Sequence, residues 1–132
     1  MNLERIQNEI LEKEDNFAIL ENGKMIYCSF SSTDLKIEKN MSLKVIHFID
    51  KDTEIDIEIA SGISAKIEEI YYRVNNNVEI NTNITIADYA CLDYLNFERN
   101  EDSQKIITNV RIHLGKEAKI NNKSIALFDG EV

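Results

Sequence analysis

Two histidines are the residues of this sequence best suited to acid–base chemistry or metal binding. His47 follows Leu43 and Val45 at a spacing of two, so a strand would turn all three to the same, inward side. We therefore expect His47 to be a hydrogen-bonded histidine in the core or at its edge. His113 alternates with the apolar residues on either side of it, which places it on the outer surface. The two rings are expected to face opposite ways, and this argues against a shared histidine site.

Two cysteines are the other candidates for specialised chemistry. Cys28 and Cys91 lie far apart in the sequence and form no Cys-x-x-Cys pair, which favours free thiols in a reducing cytoplasm. We expect Cys28 to be a small buried apolar residue and Cys91 to point outward. In the repeat described below, Cys91 and His113 stand about six positions apart, up to about 20 Å along a strand. A metal ion shared by these two side chains is therefore not expected.

Carboxylates are numerous, but their spacing is typical of a solvated strand face. Glu54, Asp56 and Glu58 alternate with isoleucines, and Glu68 and Glu69 follow a later corner. Paired carboxylates can support acid–base catalysis or bind calcium, yet a row of acids on the wet side of a sheet is the commoner arrangement. The sequence has no calcium-loop motif, no Gly-x-Ser-x-Gly, no glycine-rich phosphate loop and no His-Glu-x-x-His.

Four tyrosines, Tyr71, Tyr72, Tyr89 and Tyr94, would suit a carbohydrate-stacking surface, but half-buried strand positions are the simpler interpretation. No residue of the chain is therefore predicted to be catalytic, cofactor-binding or metal-binding. The protein is not predicted to be an enzyme, and no cofactor is expected.

Composition limits the class of protein and of partner. The chain has 132 residues, of which 43% are hydrophobic and 30% charged, as in an ordinary globular domain. The formal net charge of −9 argues against nucleic acid or an anionic membrane as the main partner, because both attract basic surfaces. No apolar stretch approaches the length that spans a bilayer, and the N-terminus does not resemble a signal peptide. We expect a single cytoplasmic domain over residues 1–132.

The elements that must position these side chains change character along the chain. Residues 1–15 are predicted to form an amphipathic helix, with Leu3, Ile6 and Ile10 on one face. Residues 16–42 are predicted to hold a hairpin and lead-in strands. The Asn22-Gly23 pair indicates the hairpin turn, because both residues tolerate the positive φ that such a turn requires.

Residues 43–132 are predicted to form repeated coils. Three segments share the order strand, small residue, two variable residues, alanine, strand; they are Ile57–Ile70, Thr82–Leu95 and Val110–Lys123. The aligned positions are Ile59, Ile84 and Ile112; Gly62, Ala87 and Gly115; Ala65, Ala90 and Ala118; and Ile67, Leu92 and Ile120. A period of about 25 to 28 residues suits a β-solenoid, here a short right-handed parallel β-helix. The alternative is an antiparallel sandwich or jelly roll with similar hairpins.

The pattern of Ile57–Ile70 and Val110–Lys123 resembles the SufB/SufD family of iron–sulfur cluster assembly proteins, over roughly residues 43 to 128. In that family an N-terminal helical segment precedes a parallel β-helix. The chain is shorter than most members and lacks the later core and C-terminal helices, so no functional residue of the family is transferred to it. The resemblance implies a non-catalytic structural subunit that contacts another SufB/SufD-type chain or itself and, indirectly, a SufC-type ATPase.

Two other functions fit the same pattern. One is a self-associating structural β-helix of the bactofilin type, and the other is a ligand-binding β domain such as a cupin-like barrel. A metal-binding cupin needs clustered histidines, whereas His47 and His113 are predicted to point in opposite directions. Because a solenoid has open strand edges at its ends, a homo-oligomer, with a dimer as its simplest form, is expected in either structural case.

Overall fold

The computed structural model describes residues 16–30, 34–74, 77–100 and 106–128, and it shows a parallel β-solenoid of about three turns. The predicted helix over residues 1–15 lies outside the described residues. The strands are β1 Phe17–Glu21, β2 Lys24–Cys28, β3 Leu35–Ile37, β4 Met41–Ile49, β5 Thr53–Ile59, β6 Ser64–Val74, β7 Val78–Ile86, β8 Cys91–Asn100, β9 Ile106–Leu114 and β10 Lys119–Phe128.

Two sheets form the walls of the solenoid. Sheet A has the order β10-β8-β6-β4-β1-β2, and sheet B has the order β3-β5-β7-β9. Within the described part of the chain, every strand pair is parallel except the β1–β2 hairpin. The chain passes from sheet B to sheet A and back in each coil. The solenoid prediction is therefore confirmed, and the antiparallel sandwich alternative is wrong.

Alternating side chains build the core between the two sheets. In β5 every second residue is buried, and the intervening acids Glu54, Asp56 and Glu58 are exposed, as predicted. Isoleucines dominate the interior because β-branched side chains pack well on a pleated surface. Stacked coils bring Ile57 of β5 beside Ile84 of β7, and both are fully buried.

The hairpin between β1 and β2 turns where the sequence predicts. Asn22 and Gly23 have φ values of 50° and 82°, the left-handed conformation required at both positions of this turn. Gly23 also has a steric reason to be glycine, since a Cβ atom there would lie 2.7 Å from the backbone oxygen of Glu54. The Asn22 side chain donates to Asp50 and accepts from its backbone N–H, which ties the turn to the end of β4.

Tight turns at Ala60–Ile63, Ala87–Ala90 and Gly115–Ala118 join the sheets at one corner, each closed by a backbone hydrogen bond of 3.2 Å between its ends. The third residue of each turn is left-handed, with φ of 72° at Gly62, 62° at Tyr89 and 52° at Glu117.

One part of the predicted repeat alignment is wrong. Copies two and three align as predicted, with Ile84 opposite Ile112 and Leu92 opposite Ile120. The first copy is displaced by two residues, because Ala65 pairs with Leu92 and Gly62 occupies the corner position of Tyr89. A displacement of two keeps each side chain on its predicted face, so an alternating pattern cannot detect it.

Candidate functional site

Among the described residues, several buried polar side chains meet in the interior of the solenoid. This polar cluster consists of His47 from β4, Glu69 and Tyr71 from β6, and Tyr94 and Asn96 from β8. All five side chains belong to residues that are at most 2% exposed. Parallel pairing stacks them, since His47 lies opposite Tyr71 and Glu69 lies opposite Asn96.

Glu69 is the common acceptor of the polar cluster. The Tyr94 hydroxyl donates to its Oε2 atom at 2.6 Å, and the Tyr71 hydroxyl approaches the same oxygen at 3.3 Å. The Asn96 amide donates to Tyr71 at 3.0 Å and to Tyr94 at 3.3 Å. Each tyrosine hydroxyl therefore accepts from Asn96 and donates to Glu69, which fixes the direction of the network. Thr82 of the opposite sheet faces the Tyr71 hydroxyl and acts to lower the pKa of that phenol.

Burial and charge both act on the two phenols. Burial raises the pKa of Tyr71 and of Tyr94 far above the ordinary value of 10.0, and the nearby Glu69 carboxylate raises both further. The hydrogen bonds from Asn96 oppose the rise of pKa but do not reverse it. Both phenols stay protonated at neutral pH, and the tyrosines therefore act as hydrogen-bond donors to Glu69.

His47 points inward as predicted, but its predicted hydrogen bonds are missing. Neither ring nitrogen has a hydrogen-bond partner within the described ranges, and the nearest acid atom, Glu69 Oε1, lies 3.6 Å from His47 Nε2. The ring also packs against Tyr71, with 5.2 Å between ring centroids. Glu69 Oε1 and Asn96 Oδ1 likewise lack hydrogen-bond partners there. The cluster thus combines a connected hydrogen-bond network with buried polar atoms of His47, Glu69 and Asn96 that have no partner among the described residues.

Several other expectations need correction. Glu69 was expected among acids on a wet strand face but is fully buried, and Tyr71 and Tyr94 are buried rather than half-buried. Tyr89 lies in a corner turn and is 54% exposed. Cys28 is half-buried rather than buried. The side chain of Tyr72 lies outside the described residues.

The outward predictions for two residues are confirmed. Cys91 and His113 are both exposed, on β8 and β9, strands of different sheets. Across the described ranges, no group of three or more His, Cys, Asp or Glu side chains is placed to hold a metal ion.

Sequence reasoning missed the polar cluster although a signal was present. Glu69 and Tyr71 continue the alternation that begins at Ala65 and Ile67, and the same period places Tyr94 on the inward side. The alternation indicates an inward side chain for Glu69. Its acidic character favours the surface instead, because an unpaired buried carboxylate is costly. The partner at the shortest distance, Tyr94, comes from a strand one coil further along the chain.

The last coil, β9 and β10, forms a second distinctive region. Ile112 pairs with the fully buried Ile84, and Leu114 pairs with the fully buried Ile86. Pairing therefore turns both side chains toward the interior, yet Leu114 is 52% exposed. Val110, whose partner Thr82 is buried, is 37% exposed. Among the described strands, none pairs with the outer edges of β9 and β10.

Comparisons with known proteins give no relative. No family model, curated protein or solved structure matches this chain. Within the part of the chain that the structure describes, no helix has the length and apolar character needed to cross a membrane.

Proposed function

We propose that this chain is a non-catalytic structural β-solenoid that works by contact between coils, as a SufD-like component of iron–sulfur cluster assembly. Its last coil would dock against the coil of another SufB/SufD-type chain or of a second copy. A SufC-type ATPase would then be a partner held through that second chain. The carrying observation is the exposure of Leu114 and Val110, two apolar side chains turned toward the interior of the last coil.

Strand edges support the same proposal. The outer edges of β9 and β10 have no strand neighbour among the described strands, and together the two strands present nineteen residues of edge. Open edges of parallel strands are templates for pairing with a further strand. A docked coil would pair these edges and cover Val110, Ile112 and Leu114 in one step. Edge pairing supplies the geometry, and apolar burial supplies the free energy.

Self-association is the second candidate, because the same surface fits a second copy of the chain. The exposed apolar side chains of this surface are aliphatic. The backbone groups along its strand edges can form hydrogen bonds with any further strand. A structural protein that assembles only with itself would use the same last coil. The two candidates differ in the identity of the chain that docks.

An affinity pull-down under anaerobic conditions from the organism that makes the protein distinguishes them. The tagged chain, a Leu114→Arg variant and a His113→Arg control would be compared by mass spectrometry. Leu114-dependent recovery of a longer β-helix chain with an ABC-type ATPase supports the assembly role. Recovery of the chain alone favours self-association. Equal recovery of every protein by the Leu114→Arg variant contradicts docking through the last coil.

A further inference from the structure

Basic side chains lie on the outer faces of the last coil, beside its unpaired strand edges. Arg111 belongs to β9, Lys119 and Lys123 belong to β10, and all three are exposed. Arg111 and Lys119 adjoin Ile112 and Ile120, which pack against the core, so both basic side chains point outward. Lys123 lies four residues after Lys119 on the same strand and shares its orientation. We call these three residues the basic rim.

The basic rim belongs to a chain that is acidic as a whole. The formal net charge is −9, yet among the described side chains of the last coil the one acid, Glu117, is outnumbered by the basic rim and Lys116. One row across sheet B shows the change of sign, because Asp56, Asn83 and Arg111 are successive neighbours on β5, β7 and β9. From β5 to β9, the outer face of sheet B thus changes from acidic to basic toward the last coil.

The described part of the chain does not neutralise the basic rim. No ion pair joins Arg111, Lys119 or Lys123 to another described residue. Inner strands show how outer side chains pair across neighbouring strands, since the Asn83 amide donates to Asp56 at 3.1 Å. No described strand lies beyond β9. The Arg111 guanidinium is therefore placed to bind a carboxylate that a further strand would bring.

We propose that the last coil selects a partner whose docking coil carries acidic side chains on the outer faces of its strands. This inference rests on the proposed docking through the last coil and adds the charge of the partner. Opposite charges on neighbouring strands stabilise their pairing, whereas like charges directly opposite each other destabilise it. Burial of Val110, Ile112 and Leu114 attracts any apolar coil, and the basic rim decides which coil is preferred.

A second copy of the chain is the less favoured partner for this surface. Two copies related by twofold symmetry use the same surface on both sides, so their last coils would bring two basic rims together. Repulsion opposes this docking without abolishing it, because the apolar side chains are still covered. A different chain with an acidic coil meets no such repulsion. The basic rim therefore favours a complex of two different chains over a dimer joined through the last coils.

A charge-reversed form of the chain can serve as the acidic partner in a test. The acidic variant and its control carry, respectively, Arg111→Glu, Lys119→Glu and Lys123→Glu, and Lys24→Glu, Lys39→Glu and Lys51→Glu at exposed positions outside the last coil. Both variants have the same net charge, so a difference between them depends on where the charge lies. Each is mixed with the fluorescently labelled unmodified chain, and sedimentation velocity measures the mixed complex.

We expect the acidic variant to form the mixed complex at a concentration about tenfold lower than the control in about 0.05 M salt, with a smaller difference in about 0.5 M salt. Equal association of the two variants would overturn the inferred charge of the partner while leaving docking through the last coil intact. No association in any mixture, or association that Leu114→Arg leaves unchanged, would contradict the docking itself and this inference with it. If the acidic variant does not fold, Lys119→Glu combined with Lys123→Glu provides the same test on β10 alone.

Discussion

At the scale of single residues, the polar cluster is the least expected feature of the molecule. Glu69 is an acid inside a stack of isoleucines, where an unpaired carboxylate would be very costly. Two tyrosine hydroxyls donate to it, and Asn96 holds both tyrosines. Because a shift of one coil against the next would break these bonds, we infer that the cluster fixes the register between β6 and β8.

Removing the shared acceptor should destabilise the fold. Glu69→Ala leaves two buried tyrosine hydroxyls without their acceptor and opens a cavity, so we expect a loss of about 2–4 kcal/mol in the free energy of unfolding. Urea denaturation followed by circular dichroism measures it. The matched control is Glu58→Ala, at an exposed position, which should change stability by less than about 0.5 kcal/mol. Equal stability of the two variants would contradict the role of the cluster.

The raised phenol pKa values predict a dependence of stability on alkaline pH. Above pH 10.0, the ordinary tyrosine pKa, the unfolded chain releases protons that Tyr71 and Tyr94 retain in the fold. Their contribution to stability is therefore complete below pH 10.0 and decreases as pH rises beyond it. Each phenol should add a slope of up to about 1.4 kcal/mol per pH unit.

The measurement is the free energy of unfolding at several pH values on both sides of 10.0. Tyr71→Phe combined with Tyr94→Phe should show a shallower alkaline decline than the unmodified chain, whatever its stability at neutral pH. Tyr89→Phe, at an exposed tyrosine, should keep the full decline. Parallel declines in all three proteins would show that the buried phenols do not retain their protons.

What sequence alone predicts at this scale is the side on which a residue lies. The alternation through Leu43 and Val45 correctly placed His47 inside, and alternation correctly placed Cys91 outside. The contacts of His47 were not predictable, since its neighbour Glu69 belongs to the next coil. A period along one strand contains no information about which strand stacks on it.

At the scale of elements, the corner turns repeat a backbone conformation rather than a residue. Gly62, Tyr89 and Glu117 are all left-handed, although this conformation is unfavourable for residues other than glycine. Gly115, at the first position of its turn, has a separate reason to be glycine. A Cβ atom there would lie 2.8 Å from the backbone nitrogen of Asp88.

Replacing a strained corner residue should stabilise the protein. Glu117→Gly removes the left-handed strain at an exposed site and should raise the free energy of unfolding by about 0.5–1 kcal/mol. Gly62→Ala, at the equivalent corner, has open space for its methyl group and should lose a similar amount through strain alone. Urea midpoints measure both changes. A destabilised Glu117→Gly variant would show that the corner is not strained.

Element boundaries and register were predictable to different degrees. Local chemistry predicts the Asn-Gly hairpin, the alternation in β5 and the corners within the second and third repeat copies. The offset of the first copy does not, because two registers that differ by two residues bury the same side chains. Hydrogen bonds between coils choose between them: Gly62 N donates to Asp88 O at 3.0 Å.

At the scale of the whole molecule, the two ends of the solenoid differ in the apolar side chains that they carry. Sheet A carries the buried apolar side chains of Phe17, Ile19, Ile46 and Phe48 close to its β2 edge. The last coil presents aliphatic side chains and unpaired strand edges at the other end of the solenoid. A coil buries its interior side chains only against a neighbouring coil. We therefore expect a further layer to cover the exposed side chains of the last coil.

The solenoid architecture was predictable because its repeat appears three times in the sequence. Function was not predictable in the same way, because docking surfaces depend on which coil is uncovered rather than on any motif. The proposed SufD-like role rests on the repeat and on the last coil. The polar cluster in the interior of the solenoid supports the fold, and we assign it no part in binding another chain.

The most direct test of the account is sedimentation velocity of the purified chain over a wide range of concentrations. Docking through the last coil predicts a dimer or larger species whose population rises with concentration. Leu114→Arg should shift that population to the monomer, and His113→Arg, on the outer face of the same strand, should not. A chain that sediments as a monomer at every concentration, or an assembly that Leu114→Arg leaves unchanged, would contradict the central claim.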